Sequence, residues 1–394
     1  MDIHKHLGTV MAMLCLGLVA VLPASADEAK TKGGLKIESD SGDFSFEFGG
    51  RIQADAAFYD EDVAELNDGT EFRRARLFAK GKLFKDWEYK AQYDFAENDL
   101  AMKDAYIKYK GLEKGAITIG QFKQPFSLEE LTSSKYITFM ERALPNAFAT
   151  GRRLGIGYNT KWNNTTFAVS AYGQEAGNGD DGDEGFGVGA RVTFLPYKSD
   201  NGLFHLGFAA AIEQPEDDNN ESVRFRARPE SHVTNTRLVN TGTIDNVDTL
   251  TKYGLEAAWV RGPFSLQAEY ILADVSRESG STDVDFDGYY IYASWFLGGN
   301  TRPYKDGKFG RVKPTQNGAW ELALRFSSID LNDGLTVLGG EEDNITFGVN
   351  YHANSHLRFS ANYIMVDSEV FDPVTATIIE DKPDILQFRA QIDF

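Results

Sequence analysis

Arg224, Arg226 and Arg228 recur at period two in the run Ser222-Val-Arg-Phe-Arg-Ala-Arg-Pro-Glu230, with Val223, Phe225 and Ala227 between them. In an extended chain rising about 3.3 Å per residue, their guanidiniums leave one face roughly 7 Å apart. Arginine is permanently charged and presents a planar donor fork, so such a ladder suits phosphate-like oxyanions. A basic hairpin exposed on a loop is the other reading of the same residues. A second cluster, Phe72-Arg73-Arg74-Ala75-Arg76, sends Arg74 and Arg76 to one side of a strand and Arg73 to the other. Arg51 follows Gly49-Gly50, where the absence of side chains lets something approach closely. Lys135 and Arg142 fall within the segment 122–151, which Arg152-Arg153 closes.

The elements that position these cations read as strands. In 384–394 one parity is Leu386, Phe388, Ala390, Ile392, Phe394 and the other is Gln387, Arg389, Gln391, Asp393, giving one oily face and one charged face. The same alternation recurs at 72–83, 87–95, 104–110, 186–194, 204–212, 253–259, 264–270, 345–351 and 357–363. Its connections alternate in length. Short ones fall at 84–86, 110–114, 162–164, 261–263 and 352–355. Long ones fall at 60–71, 122–151, 174–185, 213–250, 274–285, 329–343 and 367–383, and a further connection at 298–317 is long where a short one is due. Short turns on one side and long loops on the other, with a terminal aromatic residue, predict an all-β fold: a 16-stranded antiparallel transmembrane β-barrel, wide enough for an aqueous lumen. Arg74 and Arg76 then face the lumen. A charge facing lipid at the midplane costs about 2–4 kcal/mol, so Arg73 is expected at the rim or turned inward at a bulge.

Residues 1–26 read as a signal peptide: basic Lys5, an apolar core from Leu7 to Leu22, and Ala24-Ser25-Ala26 before a cleavage after Ala26. Residues 27–43 read as an N-terminal periplasmic segment and 44–394 as the barrel, which together predict the bacterial outer membrane. The one cysteine, Cys15, lies in the leader, so the mature chain has no thiol chemistry. The net charge of −19 disfavours nucleic acid, and its acid is concentrated in likely loops such as 180–184, 216–218 and 341–343. The four histidines after the leader (His205, His232, His352, His356) have no nucleophile context, so no catalysis, cofactor or metal is expected. Segments as long as 122–151 and 213–250 are usually functional.

The chain resembles the phosphate- and polyphosphate-selective porins of the O/P type. The resemblance is carried by Phe44-Ser-Phe-Glu-Phe-Gly-Gly-Arg51, by Phe72-Arg-Arg74, and by Phe126-Ser-Leu-Glu-Glu-Leu-Thr-Ser-Ser-Lys135 with Glu141-Arg142. Lys308-Phe-Gly-Arg-Val-Lys-Pro314 also matches, and the likeness spans nearly the whole mature chain. It implies a homotrimer in outer-membrane lipid whose pore is narrowed by inward-folded segments. It implies passive diffusion of inorganic phosphate or other small anions, guided by Arg224, Arg226 and Arg228 to a centre of Arg51, Arg73, Arg74, Lys135 and Arg142. Asp104 is a carboxylate partner able to accept a phosphate hydroxyl. The chain departs from the pattern at Gln121, where a basic residue is expected, and at Glu129-Glu130. Glu88, Asp94, Glu256, Glu269 and Glu321, all of lumen parity, add acid to the wall. They motivate the alternative of a general-diffusion porin with weak or cation selectivity.

Overall fold

The computed structural model describes residues 28–394 apart from 31–33, 97–99, 177–183, 216–220, 279, 316 and 373. The leader 1–26 with its cleavage after Ala26, and the acidic runs at 180–183 and 216–218, lie outside the described residues.

Sixteen antiparallel strands close into one barrel. They are β1 Ser45–Asp60, β2 Gly69–Leu83, β3 Trp87–Asp94, β4 Ala101–Tyr109, β5 Ala116–Lys123, β6 Arg152–Trp162, β7 Thr165–Tyr172 and β8 Phe186–Ser199. There follow β9 Gly202–Gln214, β10 Val247–Arg261, β11 Phe264–Arg277, β12 Val284–Leu297, β13 Ala319–Asp333, β14 Val337–His352, β15 Leu357–Asp372 and β16 Asp384–Asp393. Each strand pairs with its neighbour in sequence, and β16 closes on β1 from Asp384 opposite Asp60 to Asp393 opposite Arg51. Closure removes every edge, which a bilayer demands because it offers no partner to a free N–H or C=O. Before β1, Leu35–Glu38 pairs with Ser45–Phe48.

Burial is inverted relative to a soluble protein. On β16, Leu386 and Phe388 are 40% and 43% exposed while Gln387 and Arg389 are each 2% exposed. The oily parity faces lipid and the polar parity is packed inside. All five tryptophans (Trp87, Trp162, Trp259, Trp295, Trp320) lie within three residues of a strand end on the short-turn side. Trp87 meets Tyr109, Trp320 meets Tyr351 and Trp295 stacks on Phe264. This is the aromatic girdle of one membrane interface.

Two expectations about loops are corrected. The connection expected at 329–343 is a three-residue turn, because β13 and β14 continue to Asp333 and from Val337. Glu341-Glu342-Asp343 is therefore strand: Glu342 points inward and is fully buried, while its neighbours are exposed. Ile329 and Leu331, buried against Val337, extend the inward face where charge had suggested a loop. The connection expected at 274–285 shrinks to 278–283. The group that approaches Gly49-Gly50 is the C-terminus. Gly50 N donates to Phe394 O (2.9 Å) and Phe394 N to Gly50 O (3.1 Å), and a Cβ on Gly49 would lie 2.3 Å from that oxygen.

Candidate functional site: a basic chamber beneath an infolded loop

The segment 124–151 folds into the barrel and is fastened to its wall. It opens with a short helix, α1 Leu128–Leu131. The Glu269 carboxylate on β11 accepts the free N–H groups of Leu128 (2.8 Å) and Glu129 (2.7 Å), and Ser127 Oγ accepts that of Glu130 (3.1 Å). These bonds satisfy helix donors that would otherwise be orphaned in a dry interior. At the other end Arg142 donates to the carbonyls of Glu129, Glu130 and Thr132. Farther along, Met140 N donates to Asn362, Leu144 N to Ser327, and Arg358 to the Ile137 carbonyl. Phe139 packs edge-on to Tyr292 with the Arg325 guanidinium 4.3 Å from its ring centre. The wall residues among these anchors belong to β11–β15, and Gln53 of β1 and Arg389 of β16 hold the Ser134 and Met140 carbonyls from the seam.

A second segment, 298–315, enters from the short-turn side. Its hairpin pairs Tyr304–Lys305 with Lys308–Phe309. Phe309, 3% exposed, packs with Leu128 and with Leu195, Leu203, Ala258 and Val260 of the wall. Arg191 secures the hairpin by donating to the Gly307 carbonyl while its guanidinium grips Glu256 in two hydrogen bonds. Over the mouth, residues 221–246 lie as a lid. Phe225 inserts between Phe148 (5.1 Å) and Phe286 (5.6 Å) in an apolar plug built by both long loops and β9–β14.

The space left open is a cavity of about 740 Å³ along β1–β8, lined by thirteen lysines and arginines and three carboxylates. Two of those carboxylates are already occupied by cations. Asp104 accepts from Lys90 and from Arg152 (2.7 Å), and Glu130 meets Lys123 (2.8 Å) and Arg142 (3.2 Å). Burial alone would raise Glu130, but the charges of Arg142 and Lys123 outweigh it and hold the carboxyl down at about 2. Glu129 of α1, whose carboxylate accepts from Ala143 N (3.0 Å) with the Arg325 guanidinium 3.9 Å away, is raised by its burial.

Six of the nine residues singled out in the sequence gather at this cavity.

 Five of the six, Arg51, Arg74, Asp104, Lys135 and Arg142, border it directly. The sixth is Arg73, one step behind them. The β1–β2 register shifts between Gln53 and Ala54, which face Arg74 and Phe72, so Arg73 is the unopposed residue of a bulge. The bulge turns it inward, where it grips Glu141 with two hydrogen bonds (2.9 and 3.0 Å). Arg51 Nε and Arg74 Nε are buried with no partner among the described residues.

The ladder lies elsewhere. Arg224 and Arg226 are exposed on the lid, with Phe225 and Ala227 buried between and beyond them as period two requires, and none of the three arginines borders the cavity. Arg224 donates to Asn240 (2.8 Å) and Arg228 to Asn235 (2.7 Å). Arg237 joins this group: burial, then the charges of Arg228 and Arg226, push it down to about 10.

Sequence reasoning missed Lys90, Lys123, Arg152, Arg191 and Lys308 as lining residues. Strand parity exposes Lys90 and Arg191, but the others lie at strand ends or in the hairpin, where pairing decides direction. Gln121 is structural: its amide donates to the Met102 and Lys103 carbonyls.

Residues 46–394 match the family described as phosphate-selective porin O and P. Porin O of Pseudomonas aeruginosa is 30% identical over the full length of both chains. The chain belongs to the phosphate-selective porin O and P family. This porin is also 30% identical to an uncharacterized protein of Caulobacter vibrioides, over 94% of the present chain and 78% of that one. Among solved structures, the fold is similar to OmpT, an outer membrane protein of Vibrio cholerae (TM-score 0.58, 13% identity, 91% of this chain and 99% of that one). It is similar as well to the anion-selective porin from Comamonas acidovorans (TM-score 0.56, 13% identity, 89% and 100%). This porin is an outer-membrane β-barrel channel.

Proposed function

We propose that this porin conducts anions passively, with phosphate or condensed phosphates as its preferred cargo. The observation that carries the reading is the imbalance of the cavity wall, where cations far outnumber carboxylates and most of the acid is already clasped. Four of the five acids of lumen parity behave alike. Asp94 is held by Arg76 (2.5 Å), Glu256 by Arg191, Glu269 by the N-terminus of α1, and Glu88 by Lys110 (2.6 Å). A low-dielectric wall of one sign concentrates the opposite ion. Guanidiniums with open donors at Arg51 and Arg74 then replace part of an oxyanion's hydration shell, and binding shared among several sites stays weak enough for release. Arg224, Arg226 and Arg228 gather anions at the mouth, and Asp104 accepts a phosphate hydroxyl where the anion is protonated. The channel works as a homotrimer and as a conduit without catalysis.

Phosphate block of chloride current through single channels in a planar bilayer tests this. Added phosphate should reduce the current in a saturable way. Current insensitive to phosphate would move the chain to the general-diffusion reading.

A further inference from the structure

The C-terminal strand carries a carboxylate in an unusual position. Asp393, 3% exposed, sits where the infolded loop, the short-turn hairpin and the barrel seam meet. Its carboxylate takes two hydrogen bonds from Arg311 of the hairpin segment and lies 3.1 Å from Lys135 Nζ of the loop. His356 is 4.0 Å away, and Arg51 faces Asp393 across the β16–β1 register. Lys135 and Arg51 border the basic chamber, whereas Asp393 and Arg311 line a separate small pocket toward the short-turn side, to which Lys135 also belongs.

We propose that Asp393 is a tethered competitor for the anion: its carboxylate occupies Lys135 whenever no permeating oxyanion does, and so sets how long that anion stays. The inference rests on the phosphate-conducting reading. Two oxygens on one planar carbon offer an ammonium the same kind of charge-assisted contact as two phosphate oxygens. A cation left bare at the floor of the chamber would hold phosphate and slow its release. With Asp393 bonded to Arg311, the carboxylate is kept in place when the anion displaces it and returns to Lys135 when the anion leaves. Arg311 is thus a positioning residue, and Lys135 exchanges partners.

Single-channel recordings of phosphate-blocked chloride current separate this role from a general change of field. Asp393→Asn should lower the half-blocking phosphate concentration about tenfold, the scale of one charge-assisted contact, and lengthen each blocked interval. Asp393→Glu should restore both toward wild type. Asp306→Asn, which removes a chamber-lining carboxylate held by Lys161 (2.6 Å) at an exposed position, should change the block less than about twofold, since exposed pairs contribute little. Equal shifts in Asp393→Asn and Asp306→Asn, or no shift in the former, overturn the proposal. If Asp393→Asn does not assemble, Arg311→Gln decides. It should weaken block more than Arg302→Gln, an equal loss of charge in the same pocket that does not touch Asp393. Equal effects of those two overturn the proposal. Wild-type current that phosphate does not block overturns the functional reading itself, whatever the variants do.

Discussion

The two halves of the lumen are built from the same alternating strands and do opposite work. Along β9–β15 the interior is filled: an apolar plug centred on Phe148, Phe225 and Phe286, the capped helix, and the buried carboxylates of Glu256 and Glu269 with their partners. Along β1–β8 the interior is open and cationic. Acid in a barrel wall is therefore no guide to ion preference until its partners are known. Glu256 and Glu269, which by type oppose an anion pore, instead hold in place the segments that shape it.

Three variants would break or sharpen that contrast. The largest effect is expected from Arg51→Ser with Arg74→Ser on the open side, which removes the two guanidiniums with buried, unpartnered Nε atoms. The zero-current potential in a KCl gradient should move most of the way to zero while barrel assembly is kept. Next, Glu269→Ala on the filled side leaves two helix N–H groups without an acceptor, at about 1–3 kcal/mol each if they stay buried. Greater current noise and higher conductance in single-channel recordings would follow as the loop loosens, even though an acid has been removed. Smaller still is Arg226→Glu on the lid. It should slow anion capture severalfold at low salt and lose its effect as screening grows, since the Debye length is about 10 Å at 0.1 M and about 3 Å at 1 M. The dependence of conductance on salt concentration reads this out.

Acid provides a finer probe of the boundary between the halves. Glu130 sits at about 2 in the folded state against 4.5 for the free group. A depressed carboxylate contributes stability above its unfolded value and loses it as pH falls toward the folded one. The infolded loop should therefore keep its grip from pH 7 to about pH 5 and lose it between about pH 4.5 and pH 2. Conductance recorded across that window should rise only at the acid end.

The fold was legible because two periods, one residue to the next and one connection to the next, survive any local ambiguity. Leu386 to Phe394 alone shows which side faces lipid. Loop ends were less legible where charge was taken for solvent, as at Glu341–Asp343, because a strand that rises above the bilayer is free to carry acid outward. The site was partly legible. Arg51, Arg74, Lys135 and Arg142 come together as their parity and loop position suggest, and the bulge that turns Arg73 inward was foreseeable only as the escape from a costly lipid-facing charge. What the sequence hides is pairing across long separations. Glu269 with α1, Arg389 with both Asp55 (2.6 Å) and Glu141 (2.7 Å), and Asp393 with Arg311 and Lys135 join residues far apart in the chain, and no local period marks them.

The most direct measurement is the zero-current potential of single wild-type channels under a KCl gradient. If the open, basic half governs permeation, its sign is that of anion selectivity despite a net charge of −19 on the chain. A potential of cation sign would contradict that, and would mean that the acids bound in the filled half still set the field along the pore.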